Sequence, residues 1–434
     1  MMMIVLVVTL LVVTVLPAHA ASTASGTLTS SHSALFGEQV SISADGRRIL
    51  VGAPDANVAS KNGTGVYSAG EAYLYNSQGT LLHTFSDPSP VSFEQFAFSV
   101  SISTDGNLVL VGAPYAGSSG LAFLYNSGGH LVRAYGPPGA AGANSGFGWS
   151  VAFLARNSSN DAVTTGQSGV YGADSQPTVL IGAISAPGIP SEGGTVPGAG
   201  QVYMYDAMGN LLHVYGDPHP SVDENFGFSL ASEHGGGVAV GAPNAVGVSS
   251  TGAVIDGAGK VLLFDRAGNF AQTYRDPDPS FFEQFGSSVA LDTSNPGFGF
   301  DLFIGAPHAS SVGPPGFTVF GGAVFLAGSD GRLFGKIPNR STDCSEFGSS
   351  ISIASDGSDL VTGAPLCVSG TGTVFLFSTR TNLVPSIQDP SPVPGEKFGY
   401  SVSMSADGSV IVVGALFRGN AFVFDSFGNL LQIL

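Results

Sequence analysis

Basic side chains are scarce in this sequence: 14 Lys and Arg stand against 31 Asp and Glu, for a net charge of −17 over 434 residues. Nucleic acid and anionic membranes are poor partners for such a chain, because both are gripped by clustered cations. The acidity points to solubility in salty or extracellular fluid, with a cationic ligand or a metal as the sharper alternative. Helix-forming composition is missing too, while Gly reaches 62 and the apolar residues are rich in Val, Phe and Leu. That balance excludes a helical bundle and predicts an all-β protein with many tight turns.

Long apolar runs are limited to one, residues 4–16. It is shorter than the roughly 20 residues of a membrane span, and it leads into Pro17-Ala18-His19-Ala20, the ending of a secretory signal peptide. Residues 1–20 are therefore expected to be cleaved and the mature chain to be secreted, with 21–35 as an N-terminal segment and no membrane span. The first 20 residues carry no charge, so the acidity belongs to the mature part.

The rest is a repeat. A Phe-Gly or near match occurs at Phe36, Phe96, Phe147, Phe226, Phe285, Phe347 and Phe398, about 60 residues apart on average. Each is followed by Gly-Ala-Pro or a variant beginning at Gly52, Gly112, Gly182, Gly241, Gly305, Gly363 and Gly414. The separations are 16, 16, 35, 15, 20, 16 and 16, so the third and fifth units hold insertions.

Within a unit, Ser99-Val100-Ser101-Ile102 alternates as a strand does. Asp-Gly turns at Asp45, Asp105, Asp356 and Asp407 read as hairpins with positive φ at both central residues. Continuously apolar runs such as Ile411-Val412-Val413 predict a second strand covered on both faces, and two further strands follow. Four antiparallel strands repeated seven times predict a seven-bladed β-propeller over residues 36–434. The sequence does not show how the ring is sealed; Gly26-Thr27-Leu28-Thr29 is a candidate edge strand.

With paired Phe-Gly and Gly-Ala-Pro signals in seven copies, the chain resembles the FG-GAP repeat family, known from the propeller of integrin α-subunits. The resemblance spans residues 33–434 and implies a seven-bladed propeller used for protein recognition and adhesion. That family holds calcium in hairpins of the form D-x-D-x-D-G-x-x-D. Here most of those hairpins are bare Asp-Gly turns, which cannot supply the six to eight oxygens calcium takes. The longer fifth hairpin is the one approximate calcium candidate, through Asp292, Ser294, Asn295 and Asp301; otherwise no cofactor is expected.

The loops at 55–70, 185–200, 244–259 and 308–322 are long and variable and fall on one face, which is where recognition is expected. The same face should carry the Asp-Pro-x-Pro linkers between blades. Their acids, Asp87, Glu94, Asp217, Glu224, Asp276, Glu283, Asp389 and Glu396, are candidates for a negative ring that attracts cations. Cys344 and Cys367 fall almost opposite each other across the sixth hairpin and are expected to form a disulfide. Sequons at Asn62, Asn157 and Asn339 lie in predicted loops.

Catalytic signatures are missing: there is no Gly-x-Ser-x-Gly elbow, no His pair with metal-ligand spacing, and no repeated placement of the ten Arg residues. Carboxylate pairs of the glycosidase kind stay open, since their separation is set in three dimensions. The expected function is a secreted, non-catalytic recognition or adhesion module that binds an extracellular or cell-surface protein through the long-loop face. A carbohydrate-binding propeller is the alternative, against which the single Trp149 argues mildly; a hydrolase comes third.

Overall fold

The computed structural model describes residues 35–434 except 60–64, 140–143, 155–176, 190–192, 233–235, 293–301, 313–317, 320, 340–343, 369 and 379–385. The expected signal peptide, segment 26–29, Asn62, Asn157, Ser294, Asn295 and Asp301 lie outside the described residues. Among the described residues there is no helix, and seven four-stranded antiparallel sheets follow one another along the chain. In blade 1 the strands are Val40–Ile42, Arg48–Ala53, Glu71–Asn76 and Leu81–Phe85, paired in that order. The other blades span 99–135, 147–215, 229–274, 288–338, 350–387 and 398–433.

The second strands are buried along nearly their whole length, as their apolar runs predict; in Thr178–Ala183 every residue is buried. The first strands of successive blades lie side by side in a closed cycle around the axis, with the seventh against the first. Seven apolar clusters result, one per blade junction. The Phe of each Phe-Gly unit is at most 2% exposed and packs on an aromatic ring of its own third strand in all seven blades.

The two glycine signals meet each other across the junctions. A Cβ built on Gly241 would lie 2.0 Å from the carbonyl oxygen of Gly286 in the next blade, and one on Gly414 would lie 2.0 Å from that of Gly37. Backbone thus touches backbone, and the glycine of Gly-Ala-Pro leaves room for the carbonyl of the following Phe-Gly. That same carbonyl accepts a serine hydroxyl from the preceding blade: Ser99 to Gly148, Ser150 to Gly227, Ser229 to Gly286, Ser288 to Gly348, Ser350 to Gly399 and Ser401 to Gly37, at 2.6–3.0 Å. The blade 1 to 2 junction departs on both sides, with Gln39 in the serine position and Ala97 in place of the glycine.

Ser401 Oγ donating to Gly37 O at 3.0 Å is also the seal between blades 7 and 1, joined by Ala406 N–H to Ala44 O at 3.0 Å. Blade 7 draws all four strands from 398–433 and blade 1 all four from 40–85, so among the described residues the ring closes through side-chain packing and these hydrogen bonds and not by an exchanged strand. The Asp-Gly hairpins differ in detail from the two-residue turn expected. Only the glycine, Gly46 for example, has positive φ. Asp45 instead accepts hydrogen bonds at Oδ1 from Ser43 Oγ (2.6 Å) and Arg47 N–H (3.0 Å). Asp is there as a side-chain acceptor within a wider turn.

Candidate functional site: the axial cavity and the acidic junctions

Inside each blade, the residue two positions after the Phe of Phe-Gly lies within two residues of the start of the innermost strand and lines the axis. Going round the ring this column reads Glu38, Phe98, Trp149, Phe228, Ser287, Ser349 and Tyr400, and all seven line one cavity of about 420 Å³. It opens on the face of the long loops, because Pro307 and His308 from a second-to-third-strand loop, with Gln284 and Glu346 from two linkers, complete its wall. Those loops are built up by small hairpins: Val58–Ala59 with Gly65–Val66, Gly247–Val248 with Val254–Ile255, and Ser311–Val312 with Thr318–Val319.

One wall of the cavity is aromatic and the other is polar. Phe98 and Trp149 lie 4.6 Å apart by ring centroids, and Trp149 and Phe228 lie 5.7 Å apart. Opposite them, His308 Nε2 is 3.8 Å from Glu346 Oε1. Glu38 is 8% exposed, and its Oε2 is buried without a hydrogen-bond partner. Burial first, and repulsion from Asp55 second, push its carboxyl up to about 7. Tyr400 is pushed up to about 12, by burial and then by Glu38 and Glu346. A wall of this kind suits an apolar or π-faced ligand that brings a positive charge or hydrogen-bond donors to Glu38 and Glu346.

The predicted acids lie elsewhere. Asp87, Glu94, Asp217, Glu224, Asp276, Glu283, Asp389 and Glu396 are all at most 8% exposed. They form four buried pairs within the linkers, so the expected open negative ring is replaced by junction carboxylates. Each Asp closes a turn by accepting the N–H two residues on, as Asp217 Oδ1 does from His219 at 2.8 Å. Each Glu caps a second turn: Glu224 Oε2 accepts Ser221 N–H at 2.7 Å, and Glu396 Oε2 accepts Val393 N–H at 3.0 Å.

Electrostatics differ among the pairs. Burial would raise Asp217, but the Lys260 ammonium outweighs it and holds Asp217 below the usual range, while burial lifts Glu224 to about 7. Burial and then Asp276 weigh on Glu283, against a hydrogen bond from Ser280, and its carboxyl reaches about 7. Burial followed by repulsion from Asp87 takes Glu94 to about 8.

The disulfide Cys344–Cys367 is formed. It ties the linker entering blade 6 to that blade's Gly-Ala-Pro loop. Asn339, expected as a glycan acceptor, is 7% exposed and donates through Nδ2 to Gly321 O (3.0 Å) and Cys344 O (2.9 Å). Its carboxamide is therefore engaged within the junction and not presented to solvent. Of the calcium candidates only Asp292 is described, and among the described residues no group of three or more His, Cys, Asp and Glu is set to hold a metal.

The axial column escaped the repeat search because it is the column that does not repeat. Aligning the seven units on Phe-Gly and reading the variable position two residues on would have found it. The class that fold and cavity define is a seven-bladed β-propeller with an axial pocket. The chain matches no family model and no curated protein, so its likeness to FG-GAP repeats rests on the motifs themselves.

Proposed function

We propose that the protein is a secreted, non-catalytic recognition module that binds a protein ligand on its long-loop face and receives a basic side chain of that ligand in the axial cavity. The observation that carries this reading is Glu38, a buried carboxylate with an unpartnered oxygen in the wall of a cavity whose other side is aromatic. A lysine or arginine entering there gains a cation–π contact with the Phe98–Trp149–Phe228 wall, on the order of 2 kcal/mol when desolvated. It also supplies the charge that Glu38 lacks.

In the loops and linkers of the same face, large apolar side chains stand in solvent, among them Phe93 (68% exposed), Val254 (69%) and Phe417 (61%). An apolar rim around a charged centre is the surface a protein ligand covers. A second reading rests on Trp149: it sits in the cavity between two other aromatic rings, where a sugar could stack, so its being the single Trp no longer weighs against carbohydrate.

Titration with lysine- and arginine-bearing peptides, their acetylated counterparts and a glycan panel, followed by fluorescence of the single Trp149, separates these readings. Saturable quenching by the basic peptides alone supports the proposal. A response to glycans alone would replace it with the carbohydrate reading, and turnover of chromogenic glycosides or esters would replace both with an enzyme.

A further inference from the structure

Four linkers bury an Asp–Glu pair, and the chain meets those pairs unequally. Between blades 3 and 4, Lys260 Nζ touches three oxygens: Asp217 Oδ2, Glu224 Oε2 at 2.8 Å and His219 O at 3.4 Å. Between blades 6 and 7, Arg418 Nη1 touches the equivalent three: Asp389 Oδ2 at 2.5 Å, Glu396 Oε2 at 3.0 Å and Ser391 O. The two nitrogens come from different places in the repeat. Lys260 opens a third strand, whereas Arg418 stands four residues after Gly414 in the loop preceding one. Unrelated side chains converging on one oxygen set mark the set itself as the recurring element, and what it gathers is positive charge.

A third junction has a weaker version. Lys336 Nζ, from the fourth strand of blade 5, comes within 4.0 Å of Asp276 Oδ2.

The junction between blades 1 and 2 repeats the same oxygens in Asp87, Ser89 and Glu94. Ser89 N–H donates to Asp87 Oδ1 at 2.7 Å, the turn that elsewhere places the carbonyls of His219 and Ser391. Glu94 is 2% exposed and Asp87 8%. The positions that supply a cation in blades 4 and 7 are Leu121 and Ala116 here. No Lys or Arg among the described residues is paired with either carboxylate. Glu94 Oε1, like its counterparts in the other cradles, accepts no hydrogen bond. Two acids taken out of water need compensation; here the side chains of Glu94 and Asp87 hydrogen-bond to each other, so a shared proton stands where the other two cradles hold an ammonium or a guanidinium.

We propose that the Asp87–Glu94 cradle binds, in place of that proton, one inorganic cation of the hard, oxygen-seeking class, with calcium as its reference member, through Asp87 Oδ2, Glu94 Oε2 and the Ser89 carbonyl. Carboxylate and carbonyl oxygens are the donors such ions take, with water completing the shell. The ion fastens blade 1 to blade 2 as Lys260 and Arg418 fasten their blades. It does so at the one junction where the serine-to-glycine hydrogen bond is replaced by Gln39 and Ala97. The site is separate from the Asp292 hairpin and from the axial cavity.

Equilibrium dialysis of the purified protein against calcium, with thermal unfolding in calcium and in chelator, tests it. The wild type is expected to bind one equivalent at this site and to melt higher in calcium. Leu121→Lys, which transplants the ammonium of Lys260, is expected to lose that one equivalent and the calcium dependence of Tm, while any binding at the Asp292 hairpin persists. Should Leu121→Lys fail to fold, the double variant Asp87→Asn, Glu94→Gln reads the same loss. Retention of every equivalent in the folded variant overturns the proposal. So does a wild type that binds no calcium, in which case the shared proton stays with the pair.

Discussion

Replacing Glu38 by Gln tests the electrostatics of the axial cavity most directly. Glu38 is pushed from 4.5 to about 7, by burial first and Asp55 second. Between those two values the folded protein holds a proton that the unfolded chain has already released. Its contribution is therefore full below pH 4.5 and is lost as pH rises through about 7. At about 1.36 kcal/mol per pKa unit, that shift sets a ceiling of about 3 kcal/mol. Glu224 and Glu283, also raised to about 7, add losses of the same sign, so the informative quantity is the difference between wild type and variant. Urea unfolding at pH 5 and pH 8, followed by Trp149 fluorescence, is expected to show a smaller fall in stability for Glu38→Gln, by up to about 3 kcal/mol. A saturating basic peptide at pH 8 is expected to restore stability to the wild type and not to the variant. Parallel pH profiles for the two proteins would refute the argument that Glu38 is a buried acid lacking a counter-charge.

Two further perturbations bear on the ring. Gly414→Ala sets a methyl 2.0 Å from Gly37 O, backbone against backbone at the seal. It is expected to cost about 3 kcal/mol or more, at or above the usual range for overpacking, whereas Gly65→Ala, with nothing within 4 Å, should be near neutral. Equal shifts of Tm for the two would count against the glycine contact as the reason for the motif. Reduction of Cys344–Cys367, which closes a loop of sequence separation 23, is expected to remove about 3 kcal/mol by loop entropy. Thermal unfolding with and without reductant measures it, and an unchanged Tm would mean that the junction is held by its apolar contacts alone.

The fold was legible because its determinants are local and repeated. Phe-Gly and Gly-Ala-Pro each solve one steric problem and are written seven times with few variants, and the Asp-Gly turn recurs in four of the seven units. Period and strand order followed from that, and so did the Cys344–Cys367 pairing, since the hairpin between them fixes the register. The acids of the linkers were legible as a pattern but not as a place. Proline next to acid reads as surface, yet Asp87 and its counterparts turn inward to accept backbone N–H groups. The axial cavity was hidden for the opposite reason. Glu38, Trp149 and Tyr400 share one position of the repeat, two residues after Phe-Gly's Phe, but that position differs from unit to unit, and only the closed ring turns it into the wall of one cavity. His83 and His213, at equivalent positions of two fourth strands, are each set beneath a turn glycine of the next blade, Gly129 and Gly268.

The seam between blades 7 and 1 uses the same serine-to-glycine contact as the junctions from blade 2 onward. Each junction must rotate the chain by one seventh of a turn, and an angular error at any of them accumulates until the last blade no longer meets the first. The residues that set this angle, the abutting glycines and the serines between them, are thus held to a tolerance that the whole circle enforces. Residues off that hub are under no such demand. The rim loops and the axial column are where the seven units differ most, so the same arithmetic that keeps the ring closed leaves its centre free to vary from blade to blade.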